Sequence, residues 1–175
     1  MVQIRLARPD DAAALAALKL VTFRQTFLEE GFGIPYPPAD LAEFEAGSYA
    51  DAAVAAEIAD PARRNWVVEG EGGRLVGYAQ VGPCKLPHPQ ASPDHGELYQ
   101  LYVLREAQGL KLGKQLLGLA MDHLAATRPG PIWLGVWSGN EKAQQVYLAK
   151  GFARVGDYRF KVGSWYDEEY IFRKS

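Results

Sequence analysis

Two glycines and two lysines lie close together in the segment from Gln108 to Lys114. The apolar run Gln100–Leu104 before it predicts a strand, and the pattern of Gln115–Ala126 after it predicts a helix. The first backbone N–H groups of a helix lack partners and carry partial positive charge, so such a turn binds anions. We therefore predict a phosphate-binding loop made of Gln108, Gly109, Leu110, Lys111, Leu112, Gly113 and Lys114.

The spacing within this loop excludes two common phosphate motifs. A P-loop has four residues between its glycines and a Ser or Thr after its lysine. Here three residues separate Gly109 from Gly113, and Gln115 follows Lys114. A dinucleotide fingerprint would need a glycine at the position of Lys111. The loop therefore belongs to neither class.

A second polar segment follows the next predicted strand, Ile132–Trp137. A helix that begins at Asn140 brings Tyr147 back to the same side after seven residues, with about 20° of drift. The two residues are then roughly 10 Å apart along the helix axis. This pattern suits two functional groups that face one site. It also suits a plain N-cap at Asn140 and a packing tyrosine at position 147.

Together these segments resemble the GCN5-related N-acetyltransferase (GNAT) superfamily, whose loop signature is Gln/Arg-x-x-Gly-x-Gly/Ala after a strand. The match begins at Gln108 and ends at Gly113, and the departure is Lys111 in place of the middle glycine. The segment Ile132–Phe152 is similar to the strand, helix and Tyr-x-x-x-Gly-Phe of that superfamily. Three short stretches are similar to its PaiA-like branch, which includes spermidine/spermine acetyltransferases: Thr22–Phe27, Trp133–Trp137 and Asp167–Ile171.

The resemblance implies an acetyl-CoA-dependent N-acetyltransferase that transfers acetyl directly to a primary amine in a ternary complex. It also implies that main-chain groups of Leu101, Tyr102 and Val103 pair with the pantetheine arm, and that Asn140 meets the pantetheine or phosphate end. Tyr147 is then the expected acid for the departing thiolate. A phenol with a pKa near ~10 can protonate a thiolate whose thiol lies near ~8.5 if the proton is delivered late.

An acceptor ammonium has a pKa near ~10, so the reaction also needs a base at neutral pH. Glu97 is the predicted base, directly or through a water, because it opens the strand that later passes the thioester. The other interpretation of Glu97 is a solvated glutamate at a strand end. Tyr99 and Tyr102 are alternatives, as walls of the cleft or as proton relays.

Composition limits the remaining classes. The 175 residues, 48% apolar and 23% charged, predict one globular acetyltransferase domain spanning 1–175. A net charge of −2 argues against a nucleic-acid surface, and no apolar stretch is long enough to predict a membrane span. One cysteine and no signal peptide predict the cytoplasm. No metal is expected, because the three histidines lack metal-ligand spacing: His88, His95 and His123.

The acceptor is expected to be a small amine, and a polyamine is the first candidate. The PaiA-like stretches favour it, as do the acidic residues near the C-terminus, although these also suit a solvated edge: Asp157, Asp167, Glu168 and Glu169. A protein N-terminus or lysine is the alternative acceptor. A different class, a non-catalytic acyl-CoA sensor, is favoured by Lys111 alone. The sequence leaves the oligomeric state open, a homodimer included.

The elements predict a single-domain α/β GNAT fold: a mixed, mostly antiparallel sheet with a central βαβ cofactor-binding unit flanked by helices. The expected order is β-α-α-β-β-β-α-β-α-β-β. Capping-box spacing at Asp40 and Ser48 predicts two helix starts, with a stop near Asp60-Pro61. The other expected elements are a strand at 2–6, a helix from Pro9 to about Glu29, a hairpin over 66–81, a loop over 83–96 and strands at 153–160 and 166–172.

Overall fold

Seven strands and five helices follow one another in the computed structural model, which describes residues 1–175. The strands are β1 (Gln3–Leu6), β2 (Arg64–Glu69), β3 (Leu75–Pro83), β4 (Gly96–Val103), β5 (Ile132–Trp137), β6 (Ala153–Val162) and β7 (Trp165–Lys174). The helices are α1 (Ala12–Phe27), α2 (Pro38–Ser48), α3 (Asp51–Ala59), α4 (Leu112–Thr127) and α5 (Glu141–Ala149).

The strands form one sheet in the order β1-β2-β3-β4-β5-β7-β6. Every neighbouring pair is antiparallel except β4 and β5, which are parallel and are joined through α4. This confirms the predicted fold class, including the central βαβ unit. A parallel pair needs a crossover connection of this kind, so the glycine-bearing loop must lie at the β4 end of α4.

The two faces of the sheet differ in chemistry. Residues that pair across strands share a face, and successive residues alternate. The register places a set of polar residues on one face, called the polar face here: Asn65, Gln80, Gln100, Glu97 and Glu169. Helices α1 and α3 cover it, since Lys19 of α1 contacts Glu57 of α3 at 2.6 Å and lies over the Tyr78 ring.

The opposite face is apolar and packs against α4. Leucines of α4 at positions 112, 116, 117 and 124 are buried, which is the spacing of one helical stripe. They share a core cluster with Leu98, Leu134 and Phe172 of the sheet. A Cβ on Gly96 would lie 2.6 Å from Leu124 Cδ2, so glycine permits the close contact between β4 and α4.

Several local expectations were wrong in detail. Three helices precede β2, as the first helix and the two further helix starts predict, although the expected order counts only two. Strand β4 begins at Gly96, which agrees with Glu97 opening the strand but is four residues before the apolar run at Gln100. Asp40 and Ser48 are not N-caps, because Pro38 occupies the first position of α2 and Ala50 is the N-cap of α3. The Asp40 carboxylate instead accepts hydrogen bonds from the N–H and hydroxyl of Ser164. Helix α3 ends at Ala59, as Asp60-Pro61 predicts.

Candidate active site

Strands β4 and β5 separate after a short paired stretch. Gly96–Leu98 pairs with Ile132–Leu134, and no pairing between the two strands continues beyond it. Strand β4 also carries a bulge, because Val81 pairs with Leu98 and Gln80 with Gln100, which leaves Tyr99 as an extra residue. Beyond the bulge, β4 stays paired with β3 on one side and has free main-chain groups on the side of β5.

A cavity of about 530 Å³ lies at this opening. Its walls include Leu101 and Tyr102 of β4, residues 134–137 of β5, and residues Asn140 and Tyr147 beside and on α5. Of the three β4 residues predicted to meet the pantetheine arm, Leu101 and Tyr102 line the cavity, whereas Val103 does not. The cavity also extends to the polar face, where it reaches Glu97.

The predicted phosphate loop lies next to this part of β4. The Gln108 side chain donates a hydrogen bond to the Val103 carbonyl at 3.2 Å, which holds the loop against the strand end. The Gln108 N–H is already bonded to the Arg105 carbonyl. From Gly109 to Lys114, none of the six successive backbone N–H groups donates to another group of the chain. We call these six residues the amide loop.

The backbone of the amide loop explains the glycine signature. Gly109 has φ = 92°, and Lys111 has φ = 59° and ψ = 20°. Lys111 is the one non-glycine residue of the chain with positive φ. The middle position of the signature therefore requires the left-handed conformation, which glycine adopts freely and lysine adopts with strain. The departure at Lys111 changes the side chain and leaves the loop conformation in place.

Gly113 stands in the first turn of α4 and faces β4. A Cβ on Gly113 would lie 3.8 Å from Leu101 Cδ2, an ordinary van der Waals distance. The chain itself therefore has room for a small side chain here. Any need for glycine at this position must come from a ligand that approaches the amide loop.

Asn140 and Tyr147 are brought to the cavity by α5. The Asn140 Oδ1 accepts a hydrogen bond from the Ala143 N–H at 3.1 Å, so Asn140 is the N-cap of this helix. Tyr147 packs edge-on against Phe152, with ring centroids 5.9 Å apart. Burial raises the pKa of the Tyr147 phenol to about 12, so it holds its proton at neutral pH.

Glu97 is buried at the start of β4 and faces the cavity. Its Oε1 accepts a hydrogen bond from the Lys85 N–H at 2.9 Å. Burial raises its pKa to about 7, so the carboxyl group is partly ionised at neutral pH. It is therefore not the solvated strand-end glutamate that the sequence also allowed.

The two alternative tyrosines differ from each other. The Tyr99 hydroxyl donates to the Pro83 carbonyl, and the cationic groups of Arg63 and Lys85 lie 4.9 and 4.5 Å from its ring centre. Tyr102 packs against Tyr78 at 5.9 Å, and burial raises its pKa well above the usual range. Tyr99 thus has a bonded hydroxyl, and Tyr102 forms a protonated aromatic wall.

The sequence did not predict that two further carboxylates line the cavity, one of them buried and the other half-buried. Asp167 and Glu169 of β7 line the cavity, whereas Glu168 is exposed and contacts Arg159 at 3.5 Å. Asp157 is also exposed. The acidic residues near the C-terminus are therefore divided by strand alternation, which was readable from the spacing of 167 and 169 on a predicted strand. Their position in a cavity was not readable from the sequence, because Tyr36, which donates to Asp167, and the aromatic residues Phe23 and Phe44 of the cavity wall come from the first sixty residues.

Asp167 and Glu169 are held differently. The Tyr36 hydroxyl donates to Asp167 Oδ2 at 2.5 Å, and Trp165 Nε1 donates to Oδ1 at 3.0 Å. Glu169 receives one long hydrogen bond, from the Tyr158 hydroxyl at 3.4 Å. Burial raises the pKa of Glu169 to about 7. We call the part of the cavity with the four carboxylates Glu57, Glu97, Asp167 and Glu169 the carboxylate pocket.

Comparison with known families decides the class. The model of the acetyltransferase (GNAT) family matches residues 24–152, which is more than half of the chain. The chain belongs to the GNAT acetyltransferase family. The superfamily that the motifs resemble is thereby confirmed, and this family member is an acetyl-CoA-dependent N-acetyltransferase.

Individual relatives agree with the family at modest identity. An uncharacterized N-acetyltransferase of Lactobacillus delbrueckii subsp. lactis is 26% identical over 152 residues, covering 87% of each chain. The N-alpha-acetyltransferase RimI of Mycobacterium tuberculosis is 32% identical over 100 residues, covering 57% of this chain and 58% of that one. In structure, the PaiA N-acetyltransferase of Thermoplasma acidophilum, crystallised with coenzyme A, matches with a TM-score of 0.76 at 18% identity, over 100% of this chain and 99% of that chain.

The acetyltransferase presents groups that fit coenzyme A. Six unpaired N–H groups at the start of α4 suit a pyrophosphate. The unpaired edge of β4 suits the amide groups of a pantetheine arm. The residues form no group of three or more His, Cys, Asp or Glu that could hold a metal ion. None of the helices is both long and apolar enough to cross a membrane.

Proposed function

We propose that this enzyme transfers acetyl from acetyl-CoA to a primary amine of a small cationic acceptor, by direct attack in a ternary complex. The observation that carries the proposal is the cavity at the opening between β4 and β5, which has the amide loop beside it and the carboxylate pocket within it. Four carboxylates face three cationic side chains: Arg63 and Lys85 in the cavity wall, and Lys19, which pairs with Glu57. Glu97 and Glu169 have no such partner, and a positively charged acceptor beside them favours their ionised forms.

In this proposal the cofactor is held by the amide loop with Gln108, by the main chain of Leu101, Tyr102 and Val103, and by Asn140. The free N–H groups of residues 109–114 bind the phosphates, and Lys111 and Lys114 add charge. The unpaired edge of β4 binds the pantetheine arm. The whole segment 1–175 forms the N-acetyltransferase domain.

Glu97 and Tyr147 are the proposed proton carriers. Glu97 takes a proton from the acceptor ammonium, and its pKa of about 7 suits a base at neutral pH. The freed nitrogen attacks the thioester carbonyl, a C–N bond forms and the C–S bond breaks. Tyr147 gives its proton to the departing thiolate. The nitrogen loses a second proton as it becomes an amide nitrogen, and this proton returns to the Tyr147 phenolate directly or through solvent. Its raised pKa keeps that proton in place until negative charge develops on sulfur.

The state of the single thiol supports direct attack rather than an acetyl-enzyme. Cys84 is buried, and burial raises its pKa to about 11. It is therefore protonated at neutral pH, and a protonated thiol is a poor nucleophile. The compartment proposed for this enzyme is the cytoplasm, where a cysteine remains reduced.

Polyamines are the proposed acceptors, since several ammonium groups complement several carboxylates. The test is release of free CoA from acetyl-CoA with a panel of acceptors: spermidine, a neutral-tailed primary amine of equal length, and a peptide with a free N-terminal alanine. Spermidine is expected to react fastest at low salt, with the advantage eroded by added salt. Equal rates for the two amines would remove the polyamine, and a faster peptide would favour protein N-termini, as the likeness to RimI suggests. No release with any acceptor would favour an acyl-CoA sensor.

A further inference from the structure

Glu169 is a half-buried carboxylate in the cavity wall, without a cationic partner. No lysine or arginine nitrogen lies within 4 Å of it, and its one hydrogen bond, from the Tyr158 hydroxyl, is 3.4 Å long. Its neighbour Asp167 faces the same cavity but has two short hydrogen bonds. Burying a charge costs free energy unless a partner compensates it. Glu97 and Asp167 also lack a cationic partner, but each accepts at least one hydrogen bond of 3.0 Å or less. Within the carboxylate pocket, Glu169 is therefore the carboxylate that the chain compensates least.

The surroundings of Glu169 suit an ammonium group. On the neighbouring strands its direct partners are Trp137 and Tyr158, both of which line the cavity with Phe160. Aromatic faces attract cations through their negative π-surface, most strongly where water is excluded. A carboxylate with aromatic neighbours binds an ammonium and the methylene groups next to it. It offers nothing to an anionic ligand.

The register separates Glu169 from Glu97 by a measurable span. Glu97 pairs with Trp133 and Glu169 with Trp137, so their partners are four residues apart along β5, and β4 and β7 flank β5. At about 3.3 Å per residue and about 4.8 Å between strands, the two backbones are roughly 16 Å apart. Burial is the main cause of the raised pKa of Glu169, and the negative charges of Asp167 and then Glu97 raise it further, so Glu97 and Glu169 influence each other electrostatically.

We infer that Glu169 is a specificity-determining residue that binds the second ammonium group of a diamine or polyamine, while the first amino group reacts beside Glu97. This inference rests on the proposed function and adds a preferred distance between the two amino groups of the acceptor. An acceptor whose amino groups are too close cannot reach both carboxylates. An acceptor with a single amino group leaves Glu169 unpaired.

The test is a series of linear diamines with spacers of three to eight methylenes, each compared with the monoamine of the same length. For the parent enzyme we expect the kcat/KM ratio of diamine to monoamine to pass through a maximum with spacer length and to exceed about tenfold there, which corresponds to one charge-assisted contact. Glu169→Gln is expected to lower this ratio at least tenfold and to flatten its dependence on length. The Gln side chain keeps the shape and removes the charge.

Glu168→Gln is the matched control. It removes the same charge one residue away, on the opposite face of β7, where Glu168 is exposed and contacts Arg159. The ratio and its length dependence should be unchanged in this variant. If Glu168→Gln and Glu169→Gln lower the ratio equally, general electrostatic attraction explains the preference, and the inference is wrong.

Calorimetry of the diamine that binds the parent most tightly, measured on the parent and on Glu169→Gln, separates this inference from the proposed function. If no amine is acetylated but the diamine binds and Glu169→Gln weakens it at least tenfold, the inference holds and the proposed function fails. If amines are acetylated and Glu169→Gln changes monoamine and diamine kinetics equally, the proposed function holds and the inference fails. Circular dichroism confirms that each variant is folded.

Discussion

The amide loop and the carboxylate pocket adjoin the same opening between β4 and β5, yet they are built differently. The amide loop is one contiguous segment whose free groups belong to the backbone, while the side chains of Leu110, Lys111 and Lys114 are exposed. The carboxylate pocket is made of buried and half-buried side chains from α3, β4 and β7. A backbone site tolerates changes in side chains as long as its conformation persists. A site of side-chain charges depends on each residue.

Tyr147 stands between the two regions, and its hydroxyl gives the largest expected effect. Tyr147→Phe keeps the ring and its contact with Phe152, so folding and the KM for acetyl-CoA should stay within a few-fold of the parent. Loss of general acid catalysis typically costs about 10²–10⁴ in rate, or about 3–5 kcal/mol. We therefore expect steady-state kinetics to show a fall in kcat of at least about 100-fold.

Tyr166→Phe is the control, because Tyr166 is an exposed tyrosine of β7. A Tyr147→Phe enzyme with full kcat would make Tyr147 a packing residue. The acid would then be water or Tyr102, since the Tyr99 hydroxyl is bonded to the Pro83 carbonyl.

The second prediction tests whether the amide loop works through its backbone. Gly113→Val places methyl groups where a phosphate must approach the N–H groups of α4, although the chain itself leaves 3.8 Å to Leu101 Cδ2. Losing one or two hydrogen bonds to a charged group, at about 1.5–3 kcal/mol each, weakens binding roughly 100-fold. Titration calorimetry with acetyl-CoA measures this loss of affinity. Gly118→Val, in open space on the same helix, controls for helix propensity, and normal affinity in Gly113→Val would place the phosphates elsewhere.

The difference between the regions also explains what the sequence could predict. The βαβ unit and the loop from Gln108 to Lys114 are encoded locally, so glycine spacing and hydrophobic periodicity identify them. The left-handed backbone conformation of Lys111 could not be predicted from the sequence, because lysine rarely adopts it and so does not indicate it. The surroundings of Glu97 and Glu169 come from other segments of the chain, such as Lys85 for Glu97 and Tyr158 for Glu169, so charge alone could not distinguish Glu169 from the exposed Glu168.

The third prediction concerns how the burial of Glu97 makes the free energy of unfolding depend on pH. Burial raises the pKa of Glu97 to about 7, against ~4.3 in an unfolded chain. The folded state therefore keeps this proton longer than the unfolded state. The contribution of Glu97 to stability is full below about pH 4 and is lost as the pH rises through 7. Its full size is about 4 kcal/mol at most, at about 1.4 kcal/mol per pKa unit.

Urea unfolding at pH 5 and pH 8 measures this loss. Glu97→Gln cannot ionise, so it should lose less stability than the parent between these pH values, by up to about 3 kcal/mol. Glu168→Gln, which removes an exposed carboxylate, should follow the parent. An identical pH dependence in Glu97→Gln and the parent would mean that Glu97 is solvated, and would remove the reason for its role as a base.

The smallest expected effect separates backbone from side chain within the amide loop. Lys111 holds φ = 59°, a conformation that costs an ordinary residue about 1–2 kcal/mol, whereas glycine pays about 0.5–1 kcal/mol in chain entropy. Lys111→Gly should therefore raise the free energy of unfolding by about 0.5–1 kcal/mol. Lys111→Ala loses the same ammonium group but keeps the strain, so it should gain no stability. Because six N–H groups remain in both variants, we expect the Kd for acetyl-CoA to stay within about threefold of the parent. A loss above tenfold in both would show that the lysine side chain, and not the backbone, carries the phosphate contact.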